Sequence, residues 1–129
     1  MEGKTAVRTE SAPAPFQGAP YSQAIKANGL VFVSGQLGLA PGQSEMVGPA
    51  IEEQTAQIFD NLEAILGEAG SGLDRIVKTT VFLANLSDFQ AMNGVYAERV
   101  GAIPPARSTV EVAALPSGAL VEIDAIALL

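Results

Sequence analysis

The sequence predicts an α+β two-layer sandwich, a mixed β-sheet with two helices on one face. Three observations carry that expectation. Short β-branched or alternating runs lie at both ends of the chain, two segments with helical apolar spacing lie between them, and no βα unit repeats as a whole. The 129 residues suffice for a single domain, 1–129, and not for two separate cores.

Taken in order, Thr5 to Thr9 reads as a short strand, and Ser11 to Pro20 resists regular structure because Pro13, Pro15 and Pro20 restrict their neighbours too. Tyr21 to Ala27 reads as a strand. Asn28-Gly29 is a hairpin signal, and Leu30 to Gln36 is the return strand. Leu30 and Phe32 fall on one face of that strand, Val31 and Val33 on the other. Both faces are apolar, so the strand calls for cover on two sides, and self-association supplies it most simply. The alternative is that Val31 and Val33 face a loop.

Leu37 to Pro49 is a loop rich in Gly, Pro and Ser. From Ala50 the period changes: Ile51, Thr55, Ile58, Leu62, Ile65, Leu66 and Ala69 recur at helical spacing, with Glu52, Glu53, Asp60, Glu63 and Glu68 mostly elsewhere on the wheel. Pro49 suits the first turn and Gly70 the residue past the end. Ile76 to Leu83 is a β-branched strand. Ser87-Asp88-Phe89-Gln90 matches a capping box opening a second helix, whose apolar stripe is Phe89, Met92 and Tyr96 and whose far end carries Arg99. Two strands follow, Arg107 to Val112 and Val121 to Leu128, around the turn Leu115-Pro116-Ser117-Gly118. The order is β-β-β-α-β-α-β-β, with the Arg107 strand expected to pair with the last strand near Glu122.

Composition narrows the chemistry. The chain has neither Cys nor His, which removes disulfides, thiolate nucleophiles, the Ser-His-Asp triad and the usual zinc sites. A net charge of −7 opposes nucleic acid and anionic lipid, so neither is an expected partner. No apolar run approaches the ~20 residues that span a bilayer, and Met1 to Glu10 shows no apolar signal core. A cytoplasmic location is the expectation. Catalysis, if any, runs on carboxylates, Arg, Lys, Tyr, hydroxyls and backbone groups.

Three segments place polar groups among apolar ones without a structural need: Pro20-Tyr21-Ser22-Gln23-Ala24, Ser34-Gly35-Gln36, and Pro104-Pro105-Ala106-Arg107-Ser108-Thr109. Arg107 follows a stiff Pro-Pro pair, so its guanidinium suits bidentate capture of a small carboxylate; the alternative is a structural ion pair with Glu122 or Glu111. Glu122 shares a strand face with Asp124 and Ile126, and is either a general base toward water or part of a solvated face. Tyr21 is a hydrogen-bond donor or a packing residue. Ser34, with no histidine to activate it, binds a carboxylate or ends its strand on a backbone bond. Asn93 reaches a ligand or faces solvent. The helix acids Glu52, Glu53, Asp60 and Glu63 read as a solvated face rather than a metal site.

At these segments the chain resembles the reactive-intermediate deaminase (RidA/YjgF) family. The resemblance runs over nearly the whole chain: Lys4 to Thr9, Pro20 to Ala24, Val31 to Gln36, Gln54-Thr55 with Asn61-Leu62, Val77 to Leu83, Pro105 to Val112 and Val121 to Ala125. It implies a chorismate-mutase-like fold, a homotrimer and active sites between subunits. It also implies cofactor-independent hydrolysis of enamines and imines of the 2-aminoacrylate/2-iminopropanoate type to 2-keto acids and ammonia. Arg107 would then hold the substrate carboxylate, and Glu122 the attacking water with Tyr21 assisting. Ser34, Gly35, Asn93 and Thr109 would line the pocket. The sequence departs from the family pattern at Thr109, where cysteine is frequent, and at Ala19, where glycine is frequent; the second is expected to narrow backbone freedom near Tyr21. Two other readings compete: a non-catalytic binder of 2-keto acids or similar carboxylates, and, against the net charge, RNA cleavage or translation inhibition.

Overall fold

The computed structural model describes residues 3–129. Its six strands are β1 (Thr5–Val7), β2 (Ala24–Ala27), β3 (Leu30–Gln36), β4 (Ile76–Leu83), β5 (Ala106–Glu111) and β6 (Val121–Leu128), and its two helices are α1 (Ile51–Ala69) and α2 (Phe89–Arg99). They form one mixed sheet of order β1-β2-β3-β6-β4-β5, antiparallel throughout except for the parallel pair β4–β5, with both helices on one face. The predicted element order and architecture hold, and β3, β4 and β6 have the predicted bounds.

The layer contact follows from alternation. In β6, Val121, Ile123, Ala125 and Ala127 are buried, as are Thr79, Val81 and Leu83 of β4 and Val31 and Val33 of β3. They meet Ile58, Phe59, Leu62, Ile65 and Leu66 of α1 and Met92 and Tyr96 of α2 in one core. Val31 and Val33 therefore face the helices rather than a loop. Leu30 and Phe32 point to the other face, where Phe32, Val110 and Leu128 stay exposed at 41%, 42% and 43%. The five acids of α1 that fall off its apolar stripe are all exposed, and Asp60 and Glu63 take up Arg99 of α2 at 2.9 and 3.7 Å.

Several local expectations change. β5 pairs with β4 and not with β6: the crossover through α2 returns the chain parallel to β4, and the half-exposed β5 suits an edge, whereas β6 needs cover on both flanks. The β2 strand starts at Ala24 instead of Tyr21. The reason is Gln23, whose buried amide donates to the carbonyls of Thr9, Ala12 and Pro13 and accepts from the Thr9 N–H, pulling the chain into the loop before it. For the same reason β1 ends at Val7. Pro49 lies outside α1, whose N-cap is Ala50; Glu53 reaches back to accept from the Ala50 N–H at 3.1 Å. Ser87 does not cap α2. Asn85 accepts from the Ser87 N–H at 2.9 Å, and a 3₁₀ turn, Leu86–Asp88, leads into the helix.

Two polar side chains of α1 are buried for a positional purpose. Asn61 donates to the carbonyls of Leu37 and Leu39 at 3.1 and 2.9 Å, and Gln54 donates to Gly48 O and accepts from Leu120 N. They hold the loop after β3, and the entry to β6, against the helix. Asn61→Leu leaves the Leu39 carbonyl without its donor, while the Leu37 carbonyl keeps the Leu39 N–H at 2.8 Å; it is expected to destabilise the fold by about 1–3 kcal/mol, read from the urea midpoint.

Candidate functional site

One end of the sheet carries a cleft of about 420 Å³, lined by the Pro13–Ala19 loop, Tyr21, the segment Ser34 to Leu39, Pro116 and Glu122. Glu122 projects from β6 on the face away from the helices, across from Phe82. Its carboxylate lies directly over Gly35: a Cβ there would meet Glu122 Oε2 and would stand 2.8 Å from its Cδ, so no side chain fits at 35 while Glu122 keeps this position. The Glu122 carboxyl is raised above its ordinary value, chiefly by desolvation on burial and secondarily by Asp124 on the same face. Asp124 is engaged, accepting from the Thr80 N–H at 3.1 Å. Glu122 is thus a half-buried carboxylate with no cation beside it among the described residues.

Two hydroxyls flank it with their roles already divided. The Tyr21 oxygen accepts from the Phe16 N–H, which leaves its own proton to donate. The Ser34 hydroxyl donates to Ser22 O at 2.6 Å, so its proton is spent on the backbone and it offers only lone pairs to a ligand. Of the two readings of Ser34, the backbone bond is the one observed. Ala19 has φ −63° and ψ 154°, ordinary extended backbone. The left-handed conformation of this turn falls at Gln17 and Gly18, so the alanine at 19 is accommodated without backbone strain.

Arg107, Asn93 and Thr109 are elsewhere. Arg107 is paired in register with Thr79, so it stands on the helix face of the sheet, whereas Glu122 stands on the open face with β4 between them. The guanidinium lies over two rings of α2, 4.7 Å from the Tyr96 centroid and 5.5 Å from that of Phe89. It has no carboxylate partner among the described residues, neither Glu111 nor Glu122; Glu111 accepts instead from the Leu86 N–H at 2.8 Å. Tyr96 is fixed by a buried 2.6 Å bond between its hydroxyl and that of Thr79, and by an edge contact with Phe59. Asn93 lies between Phe89 and Tyr96 on the same stripe of α2, and its Oδ1 is buried without a hydrogen-bond partner among the described residues. Thr109 follows Arg107 on the same face of β5.

The chain therefore carries two constellations. A base cleft gathers Tyr21, Ser34, Gly35 and Glu122; a cationic platform gathers Arg107, Asn93 and Thr109. Sequence reasoning missed the apolar wall at Phe16, Leu39 and Pro116, and the aromatic seat of Arg107. The second was readable in the spacing of Phe89, Asn93 and Tyr96, four and three residues apart.

Fold and cleft together define a two-layer α+β domain with an acid-bearing pocket at one end of its sheet. The family model described as Endoribonuclease L-PSP matches residues 9–129. Reactive Intermediate Deaminase A, chloroplastic, of Arabidopsis thaliana is 50% identical over 126 residues; the match covers 98% of this chain and 66% of that longer protein. The crystal structure of RidA from the Antarctic bacterium Psychrobacter sp. superposes with a TM-score of 0.91 at 40% identity, covering 97% of this chain and 99% of that one. E. coli TdcF, crystallised with bound serine, superposes at 0.88 with 35% identity, covering 97% and 98%. The chain belongs to the L-PSP, or RidA/YjgF, family of Rid proteins.

Tyr96 separates packing from charge placement. Tyr96→Phe keeps the ring beneath Arg107 but strands the buried Thr79 hydroxyl, and is expected to cost about 1–3 kcal/mol in urea unfolding.

Proposed function

We propose that this protein hydrolyses 2-imino acids to 2-keto acids and ammonium, at sites completed by two copies of the chain. The observation that carries the reading is the pair of unmatched charges: a guanidinium seated on aromatic rings without a carboxylate, and a desolvated carboxylate without a cation. Arg107 of one copy grips the substrate carboxylate with two charge-assisted bonds, and Asn93 and the backbone at Thr109 complete that platform. Glu122 of the neighbouring copy takes a proton from water as the oxygen attacks the C=N carbon. Tyr21 donates to the lone pair that forms on nitrogen as the C=N bond opens, the proton taken by Glu122 passes to that nitrogen so that it leaves as the amine, and Gly35 leaves room for the carboxylate to approach. The balance is an iminium plus water giving a ketone oxygen and ammonium. The serine bound to the relative TdcF is a small amino-acid carboxylate of the kind this platform suits.

The same geometry supports an assembly of several copies. Base cleft and cationic platform are different patches, so the cleft of each copy can receive the platform of the next, and a closed ring satisfies every patch. A homotrimer is the proposed ring, with the exposed apolar residues Phe32, Val110 and Leu128 on the face it covers. No helix is long and apolar enough to cross a membrane, and a cytoplasmic location is proposed. The net charge of −7 weighs against RNA as a partner.

The test is a coupled assay in which an amino-acid oxidase releases the imine from alanine. Faster imine decay on adding the protein is expected; an unchanged rate, with 2-keto acid bound but not formed, would show a binding protein instead. Arg107→Ala is expected to lower kcat/KM by roughly 10²-fold or more, the loss of a bidentate charge-assisted contact. Activity depends on ionised Glu122, so kcat falls on the acid side as pH drops through a pKa above the ordinary 4.5. Glu122→Gln, inactive toward water, is expected to abolish that acid limb along with turnover.

A further inference from the structure

We propose that the cleft prefers 2-imino acids with large apolar side chains, of leucine or phenylalanine size, and excludes those with acidic side chains. The inference rests on the imine-hydrolase reading above and concerns the part of the substrate that neither Arg107 nor Glu122 touches. Beside the main core the fold keeps a second, separate apolar cluster of Leu37, Leu39 and Ala119, with Phe16, Met46 and Leu115 packed on it. Phe16, Leu37 and Leu39 of that cluster are also cleft wall, joined by Pro13 and Pro116. Away from Glu122, Tyr21, Ser34 and Gln36, the wall this chain gives the cleft is thus apolar.

Charge sets the exclusion. Among the described lining residues Glu122 is the only acid, and none supplies a cation. A second carboxylate on the substrate would leave water for a wall without a positive partner and would approach Glu122, while the single platform arginine is occupied by the first. An apolar side chain meets the opposite situation: each methylene moved from water onto that wall is worth about a four-fold gain in binding.

Phe16 is the residue through which selection is coupled to the reacting end, because its own N–H donates to the Tyr21 oxygen. The loop is held firmly on both sides. Asn61 ties down the carbonyls of Leu37 and Leu39, and the two turns that carry Phe16 and Pro116 repeat one geometry. Gln17 and Ser117 both have φ 54°, and the N–H groups of Ala19 and Ala119 close back on Phe16 O and Pro116 O at 3.0 and 3.1 Å. The wall is therefore preformed rather than assembled on binding.

The experiment compares imines released in situ by oxidases from alanine, leucine, phenylalanine and glutamate, scoring kcat/KM for each with the full chain. The leucine- and phenylalanine-derived imines are expected to exceed the alanine-derived one at least ten-fold, with the glutamate-derived imine decaying at its uncatalysed rate. Efficient hydrolysis of the alanine-derived imine alone, or of the glutamate-derived one, overturns the preference while leaving imine hydrolysis intact. Hydrolysis of none of them overturns the enzymatic reading itself, and the preference with it. Phe16→Ala, checked for folding by circular dichroism, is expected to lower the phenylalanine-to-alanine ratio about ten-fold, and Phe16→Leu to keep most of it. An unchanged ratio in folded Phe16→Ala overturns the role of this wall.

Discussion

A strand can show consecutive side chains only to opposite faces, and in this sheet that rule divides the chemistry of the molecule. Arg107 is in register with Thr79, which is in register with Ala125, and all three look toward the helices. Glu122 is in register with Phe82 and looks the other way. No rotamer change brings the two side chains to one small substrate, because β4 and the thickness of the sheet lie between them. The fold of one chain therefore holds a carboxylate and a guanidinium on opposite faces of the sheet, with no means of joining them.

Each half has been left electrically incomplete. Arg107 could have been matched by Glu111, four residues on and on the same face; Glu111 instead caps the backbone at Leu86. Glu122 could have been matched by a lysine across the sheet; its neighbours are Gly35, Asp124 and Phe82. A lone guanidinium is tolerated because the rings of Phe89 and Tyr96 lie against it, and that support disperses the charge without neutralising it. A lone carboxylate is tolerated because it is only half withdrawn from water, with its proton affinity increased as the consequence. A chain optimised for its own stability would have paired both. Their joint survival is the physical ground for reading them as ligand-facing groups.

What the sequence made legible was local or periodic. The helical spacing from Ile51 to Ala69 and the alternation of Val121 to Leu128 translate directly into buried faces, so α1, β3, β4 and β6 were readable to within a residue. Strand pairing was not: nothing in Arg107 to Val112 says whether β4 or β6 lies beside it, since that depends on where the crossover through α2 lands. The start of α2 differs from the capping-box pattern because Asn85, a turn-former two residues before Ser87, takes the Ser87 N–H. Gln23 shortened a strand through bonds to residues 10 to 14 positions away, which no local pattern encodes. Within the candidate site the polar residues stood out against apolar surroundings. The apolar wall did not, because Phe16, Leu39 and Pro116 look like any loop residues until the turns bring them together.

Those turns also bear on how substitutions near the cleft act. Ala19 and Ala119 occupy equivalent places in two turns of the same shape, each extended and each donating back three residues. The conformational demand sits one and two residues earlier, on Gln17-Gly18 and Ser117-Gly118, all four with positive φ. A side chain at 19 therefore changes only what it adds to the wall, and a methyl there extends the apolar lining. A β-branched residue at 17 or 117 would act differently, straining the turn and moving Phe16 or Pro116 with it. Because Phe16 carries the N–H that orients Tyr21, a shift of that turn would move the cleft wall and the Tyr21 hydroxyl together. The apolar wall and the Tyr21 hydroxyl are for this reason mechanically linked, whereas the cationic platform, built on β5 and α2, does not share that turn.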